Sequence, residues 1–221
     1  MLKRLLNLIF PPKCIFCNKI LYLNTDIYIC KECFSKIEFR EGGSIKSGTG
    51  DDYFDSIVCV CEYTGIVKDA VKRFKFSNKP AYYRAFARLL SQKIKETMDY
   101  RLFDAIISVP LHPVRERTRG YNQSFLISTE LSRELGIKEE SNLLSRTRNT
   151  HSQSLLPRQD RLINVKGAFT VTDSSKVKDK TILLVDDVLT TGTTLNECSR
   201  VLKEAGAKKI VVAVIASGRR F

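Results

Sequence analysis

The chain has 221 residues, enough for one full α/β domain and a small appendage. Its 37 basic against 24 acidic side chains give a formal charge of +13, which favours polyanionic partners: nucleic acid, phosphorylated ligands or acidic lipid. No apolar run is long enough to span a bilayer, and seven cysteines without a secretion signal point to a reducing compartment and to metal rather than disulfides.

Residues 1–10, MLKRLLNLIF, begin like a secretion signal. Asn7 breaks the apolar part, and Pro11-Pro12-Lys13 is a poor cleavage context, so a short docking helix is expected instead. Cys14-Ile15-Phe16-Cys17 and Cys30-Lys31-Glu32-Cys33 then form two CxxC knuckles twelve residues apart. A redox function would need one such motif; two at this spacing suit a tetrahedral Zn²⁺ site. With four thiolates from the protein no position stays open for a reactive water, so the expected zinc is structural. Arg40 to Asp52 is rich in Gly, Ser and charge and reads as a linker. The expected organisation is therefore residues 1–39 as N-terminal helix and zinc knuckle, 40–52 as linker and 53–221 as the main domain.

Ile57 to Cys61 reads as a strand, with Cys59 and Cys61 as buried residues rather than a second metal site. From Gly65 to Phe76, Ile66, Val67, Ala70, Val71 and Phe74 recur at helical spacing. Lys68, Lys72, Arg73 and Lys75 lie among them as a candidate basic rim. Pro80 opens a further helix with Tyr83, Phe86, Ala87, Leu90 and Ile94 on one face. Ala105 to Val109 is a buried strand. The stretch that follows, Pro110 to Gln123, is expected to be a loop holding Arg115, Arg117 and Arg119, whose forked guanidinium groups match phosphate oxygens. Opposite a sugar site, such a loop would hold a pyrophosphate. His112 lies beside Pro113 and reads as structural or at a ligand's edge. A helix from Gln123 to Leu135 ends at Gly136. Ser145 to Asn164 is a long polar segment whose Arg146, Arg148, Arg158 and Arg161 could close over an anion.

The most specific stretch runs from Thr181 to Thr194. Thr181 to Val185 is a short apolar strand that ends in the adjacent carboxylates Asp186 and Asp187. Thr190, Thr191, Gly192, Thr193 and Thr194 follow, then a helix with Leu195, Cys198, Val201, Leu202 and Ala205 at helical spacing, stopped by Gly206. Ile210 to Ile215 is a second apolar strand, which completes a βαβ unit. Backbone N–H groups and the helix dipole at such a turn favour a phosphate, the threonine hydroxyls add donors, and the two carboxylates can accept from sugar hydroxyls. A plain helix cap would need one polar residue, not this array. No lysine lies within the loop, which argues against an NTPase.

This stretch resembles the phosphoribosyl-pyrophosphate loop of type I phosphoribosyltransferases. With the zinc knuckle, the Val109-Pro110-Leu111-His112 and Arg119-Gly120-Tyr121-Asn122-Gln123 motifs, and the Arg146, Gln153, Arg161, Asn164 segment running into Gly167-Ala168-Phe169, the whole chain resembles the ComF family of bacterial competence proteins. The resemblance implies an α/β fold: a type I phosphoribosyltransferase-like parallel sheet flanked by helices, behind a small N-terminal zinc knuckle with Cys14, Cys17, Cys30 and Cys33 as its four ligands. It implies that Asp186 and Asp187 hold ribose hydroxyls, that Thr190 to Thr194 wrap the 5′-phosphate, and that Mg²⁺ accompanies phosphoribosyl pyrophosphate. It also implies a role in natural transformation, on the cytoplasmic side and at the inner face of the membrane. The implied partners are phosphoribosyl pyrophosphate or a nucleotide, single-stranded DNA, and a competence helicase with other DNA-processing proteins. The alternative is an active phosphoribosyltransferase with an unidentified base or amine acceptor.

Overall fold

The computed structural model describes residues 11–22, 25, 27–43, 45–46, 52–148 and 165–219. The expected N-terminal docking helix, and the part of the long polar segment holding Gln153, Arg158, Arg161 and Asn164, lie outside the described residues.

Five strands form the main sheet: β1 (Ile45–Lys46), β2 (Ser56–Glu62), β3 (Ala105–Ser108), β6 (Thr181–Leu189) and β7 (Lys209–Ser217). Their order is β1-β2-β7-β6-β3. β2, β7, β6 and β3 run parallel, and β1 pairs antiparallel with β2 at the edge. The segment expected to be a linker therefore contributes an edge strand. Arg40, next to it, binds Glu62 (2.9 Å) and the backbone carbonyls of Ser217 and Arg219, which ties this segment to the chain's C-terminal strand. A small antiparallel pair, β4 (Leu144–Arg146) with β5 (Phe169–Val171), lies apart from the main sheet.

The sheet is buried on both faces, as the near-continuous apolar strands require. On one face Val58, Val60, Leu183, Val185, Val211 and Ala213 pack against helices α2 (Gly65–Phe76), α3 (Tyr83–Thr97) and α5 (Gln123–Leu135). The zinc knuckle, whose second CxxC runs into the one-turn helix α1 (Lys31–Phe34), joins the same cluster. On the other face Ile57, Ile107, Ile182, Leu184, Val212 and Val214 pack against α6 (Thr193–Glu204) and the β4–β5 pair. The alternation in β6 and β7 thus feeds two separate cores, which fixes register: a one-residue slip would exchange every side chain between them. The expected helix stop at Gly206 is a Schellman motif, with Gly206 at φ +93° and the Ala207 N–H donating to the Leu202 carbonyl at 3.0 Å.

Two local expectations give way. Pro113–Arg119, read as loop, is a short helix, α4. Pro113 starts it, His112 Nδ1 accepts from the Val114 N–H at 3.3 Å, and Gly120 at φ +86° ends it. His112 is therefore a helix cap. Strand β6 does not stop at Val185; its ladder with β7 continues through Asp186 opposite Val214 to Leu189 opposite Ser217.

Candidate functional site

In open parallel sheets ligands bind beyond the carboxyl ends of the strands. Here β2 delivers Tyr63, β3 delivers Val109, Pro110 and Leu111, and β6 delivers Asp186 and Asp187 to the same edge. Together with the β6–α6 turn they line a cleft of about 520 Å³. Gly192 is the pivot of that turn. Its φ of +83° lies in the left-handed region, and an added Cβ would come within 3.3 Å of Arg219 Nη1. Beyond it α6 begins at Thr193, so the first-turn N–H groups lack intrahelical partners, and Thr193, Thr194 and Leu195 line the cleft. The Thr191 and Thr193 hydroxyls lie 2.9 Å apart. Amides and hydroxyls at the positive end of a helix are chemically suited to an anion.

The two carboxylates are not equivalent. Asp187 is 4% exposed and accepts from Lys75 Nζ at 2.8 Å. Burial works against the Lys75 ammonium, yet Asp187 and Asp186 outweigh it and hold that group above the usual lysine range. Asp186 accepts from the Ser124 hydroxyl at 2.7 Å and from the Asp187 N–H at 2.9 Å. Burial, followed by repulsion from Asp187, pushes its carboxyl up to about 6 despite the partial relief from Lys75. One acid is thus ion-paired, and the other holds its proton to higher pH than an ordinary carboxyl.

Six cationic side chains share the lining with apolar and uncharged residues. Lys68, Lys72 and Lys75 come from α2, Arg115 and Arg119 from α4, and Arg146 from β4. Arg119 donates to Gln123 Oε1 at 2.6 Å and lies 5.2 Å over the Phe76 ring. Arg146 is 7% exposed, lies over the Phe169 ring, and is pulled down to about 10 by burial and by Arg115. Such a set has little use for an uncharged ligand; it matches several phosphate oxygens at once.

Of the residues singled out in the sequence, Asp186, Asp187, Thr190, Thr191, Gly192, Thr193, Thr194, Arg115 and Arg119 all line this cleft. Arg117 does not. It is exposed on α4, because a residue two positions from Arg115 and Arg119 points to the opposite side of a helix. Of the expected basic rim, Arg73 turns the other way and donates to the carbonyls of Ile15 (3.0 Å) and Phe16 (2.9 Å) in the zinc knuckle. Ser124, Tyr63 and Phe76 were not singled out. Ser124 could have been suspected as a first-turn residue of α5, behind the Asn122 cap. Nothing in the local pattern marks Tyr63 or Phe76.

The sulfur atoms of Cys14, Cys17, Cys30 and Cys33 all lie within 4.8 Å of one another, and Cys17 and Cys30 are 3.7 Å apart. Tetrahedral Zn²⁺ with bonds of about 2.3 Å needs sulfurs roughly 3.8 Å apart, so the donor set fits a structural zinc ion. Cys59 and Cys61 are buried in β2, and burial pushes the Cys59 thiol up to about 12, as expected for inert core thiols. No helix among the described residues is long and apolar enough to cross a membrane.

Comparison with known proteins finds one family match in each part of the chain. The phosphoribosyl transferase domain family matches residues 121–220, and the double zinc ribbon domain family matches residues 5–44. The chain is 36% identical over 190 residues to competence protein F of Haemophilus influenzae, covering 83% of this chain and 82% of that protein. It is 35% identical over 159 residues to the DNA utilization protein YhgH of Escherichia coli K12, covering 71% of this chain and 69% of the relative. Among solved structures, the purine phosphoribosyltransferase from Pyrococcus horikoshii Ot3 is similar over 60% of this chain and 69% of that one, at 22% identity and a TM-score of 0.37.

Proposed function

Since this chain belongs to the competence protein F family, we propose that it serves in DNA uptake and utilisation and binds a 5-phosphoribosyl ligand in the cleft described above. The ligand is phosphoribosyl pyrophosphate with Mg²⁺, or a related nucleotide. The observation that carries the reading is the juxtaposition at the end of β6: two adjacent carboxylates, then a glycine-pivoted turn rich in threonine at a helix N-terminus, inside a cationic cleft. Asp186 and Asp187 accept from the ribose hydroxyls, and the Thr190–Thr194 turn takes the 5′-phosphate. Arg115, Arg119 and the α2 lysines face the pyrophosphate, whose charge Mg²⁺ shares. A carboxylate has acceptor sites for more than one donor, so Asp187 can keep Lys75 while it accepts from a ribose hydroxyl.

The polyanion this role requires is single-stranded DNA, handled on the cytoplasmic side together with a competence helicase and other DNA-processing proteins. The +13 charge supports that part of the reading. Calorimetric titration of the zinc-loaded protein with phosphoribosyl pyrophosphate and Mg²⁺ tests the cleft: saturable heat with one site per chain is expected, and no heat would remove the ligand assignment.

A second reading, active phosphoribosyl transfer, is favoured by the lysines and arginines that line the cleft beside the two carboxylates. In that case the cationic lining would stabilise the departing pyrophosphate. Pyrophosphate release in the presence of a panel of bases and amines decides between binding and turnover.

A further inference from the structure

One wall of the cleft carries a large apolar surface that neither sugar nor phosphate uses. Phe76, the last residue of α2, lines the cleft and is 68% exposed. A single exposed phenylalanine is ordinary on a protein surface, but this one is held in place from three directions. Its neighbour Lys75 is anchored on Asp187 at 2.8 Å. The Phe74 carbonyl, two residues earlier, accepts from the Tyr121 hydroxyl and from Gln123 Nε2, which fixes the end of α2. The Arg119 guanidinium lies 5.2 Å over its ring and is itself held by Gln123 at 2.6 Å. One face of the ring is therefore backed by a cation, and the ring is otherwise exposed among the residues that line the cleft. A fixed aromatic face beside a sugar-phosphate clasp is what a nucleobase requires.

We infer that Phe76 is the base platform of this cleft, so that the preferred ligand class is a nucleoside 5′-monophosphate whose base stacks on that ring. This rests on the phosphoribosyl reading of the cleft, and it adds a preference which that reading alone does not contain. The discriminating quantity is the ratio of two affinities in the same zinc-loaded protein, for adenosine 5′-monophosphate and for ribose 5-phosphate. The two ligands share the sugar and phosphate and differ in the base. A stacked base should make the nucleotide bind about tenfold tighter or more.

The ratio should fall close to one in Phe76→Leu, which keeps the apolar bulk and loses the π face, and should return in Phe76→Trp. Thermal melting of each variant checks that it folds. Tyr63, the other aromatic side chain in the lining, is the internal control. A ratio near one in the unaltered protein would overturn the platform and leave the sugar-phosphate site standing, whereas no binding of either ligand would overturn both. A ratio lost in Tyr63→Leu but kept in Phe76→Leu would overturn the assignment to Phe76.

Discussion

At the scale of single residues, Asp186 and Asp187 are neighbours in sequence that differ in surroundings. Asp187 is ion-paired with Lys75, while Asp186 resists ionisation because burial and a second carboxylate oppose it. The linkage sign follows. A carboxyl whose folded pKa lies above the unfolded value of about 3.9 binds protons more tightly when folded, so stability falls as pH rises from about 4 to about 6 and stays lowered above that. Asp186→Asn removes this penalty while keeping an acceptor for Ser124. Its Tm should exceed that of the unaltered protein at pH 8, and the gain should shrink towards pH 4. An unchanged difference across that range would refute the unequal pair. Lys75→Ala has the opposite effect: it leaves Asp187 buried without its cation and should cost of the order of 2 kcal/mol. That is below the ~3–5 for a fully buried pair because the Lys75 side chain keeps 25% exposure. Chemical denaturation measures it.

At the scale of elements, two features matter most, one tight turn and one attachment between elements. Gly192 combines a left-handed φ with an approach of 3.3 Å between a prospective Cβ and Arg219 Nη1. Gly192→Ala should therefore lose ~1 kcal/mol or more and weaken phosphate binding more than tenfold. Arg73 is the attachment, since it joins α2 to the zinc knuckle through two carbonyls. Arg73→Gln should destabilise the protein by ~2 kcal/mol and speed zinc loss to a chelator, followed with a colorimetric zinc indicator. Unaltered release kinetics would show that the knuckle holds its metal independently of α2.

The element scale also explains which features could be read ahead of the structure. α2, α3, α5 and α6 were legible because each carries an apolar stripe at helical spacing, and the C-terminal βαβ unit because its strands are apolar throughout. α4 was not: PVRERTR has two turns, no apolar stripe and a cap made by histidine, so its helicity comes from Pro113 and the His112 cap rather than from a buried face. The extension of β6 was hidden for a related reason. Asp186 and Asp187 end the apolar run, but the strand continues because β7 still offers ladder partners up to Ser217. Arg117 was grouped with Arg115 and Arg119 because spacing along a loop carries no direction, and only the helix separates them. Lys75 could be placed on a basic rim, but its pairing with Asp187 joins elements more than a hundred residues apart and leaves no local trace.

At the scale of the whole molecule, a basic chain joins a four-cysteine knuckle to an α/β domain through a shared core, since Cys14, Ile15 and Phe16 pack in the same cluster as α2 and α3. Metal removal should therefore be felt beyond the knuckle. Chelation of zinc should lower the Tm of the main domain as well, because the knuckle covers apolar surface on that face. Two independent melting transitions, with the second unmoved, would contradict the shared core. If the positive charge serves single-stranded DNA, affinity measured by fluorescence anisotropy should fall steeply between about 50 and 200 mM salt; a flat profile would argue against a phosphate-driven surface.

The most direct test of the central claim is a crystal structure of the zinc-loaded protein with phosphoribosyl pyrophosphate and Mg²⁺. The account requires the 5′-phosphate within hydrogen-bonding distance of the Thr190–Thr194 turn and the ribose hydroxyls on Asp186 and Asp187. Density for the ligand elsewhere on the protein, with the Lys75–Asp187 pair and the turn undisturbed, would contradict it.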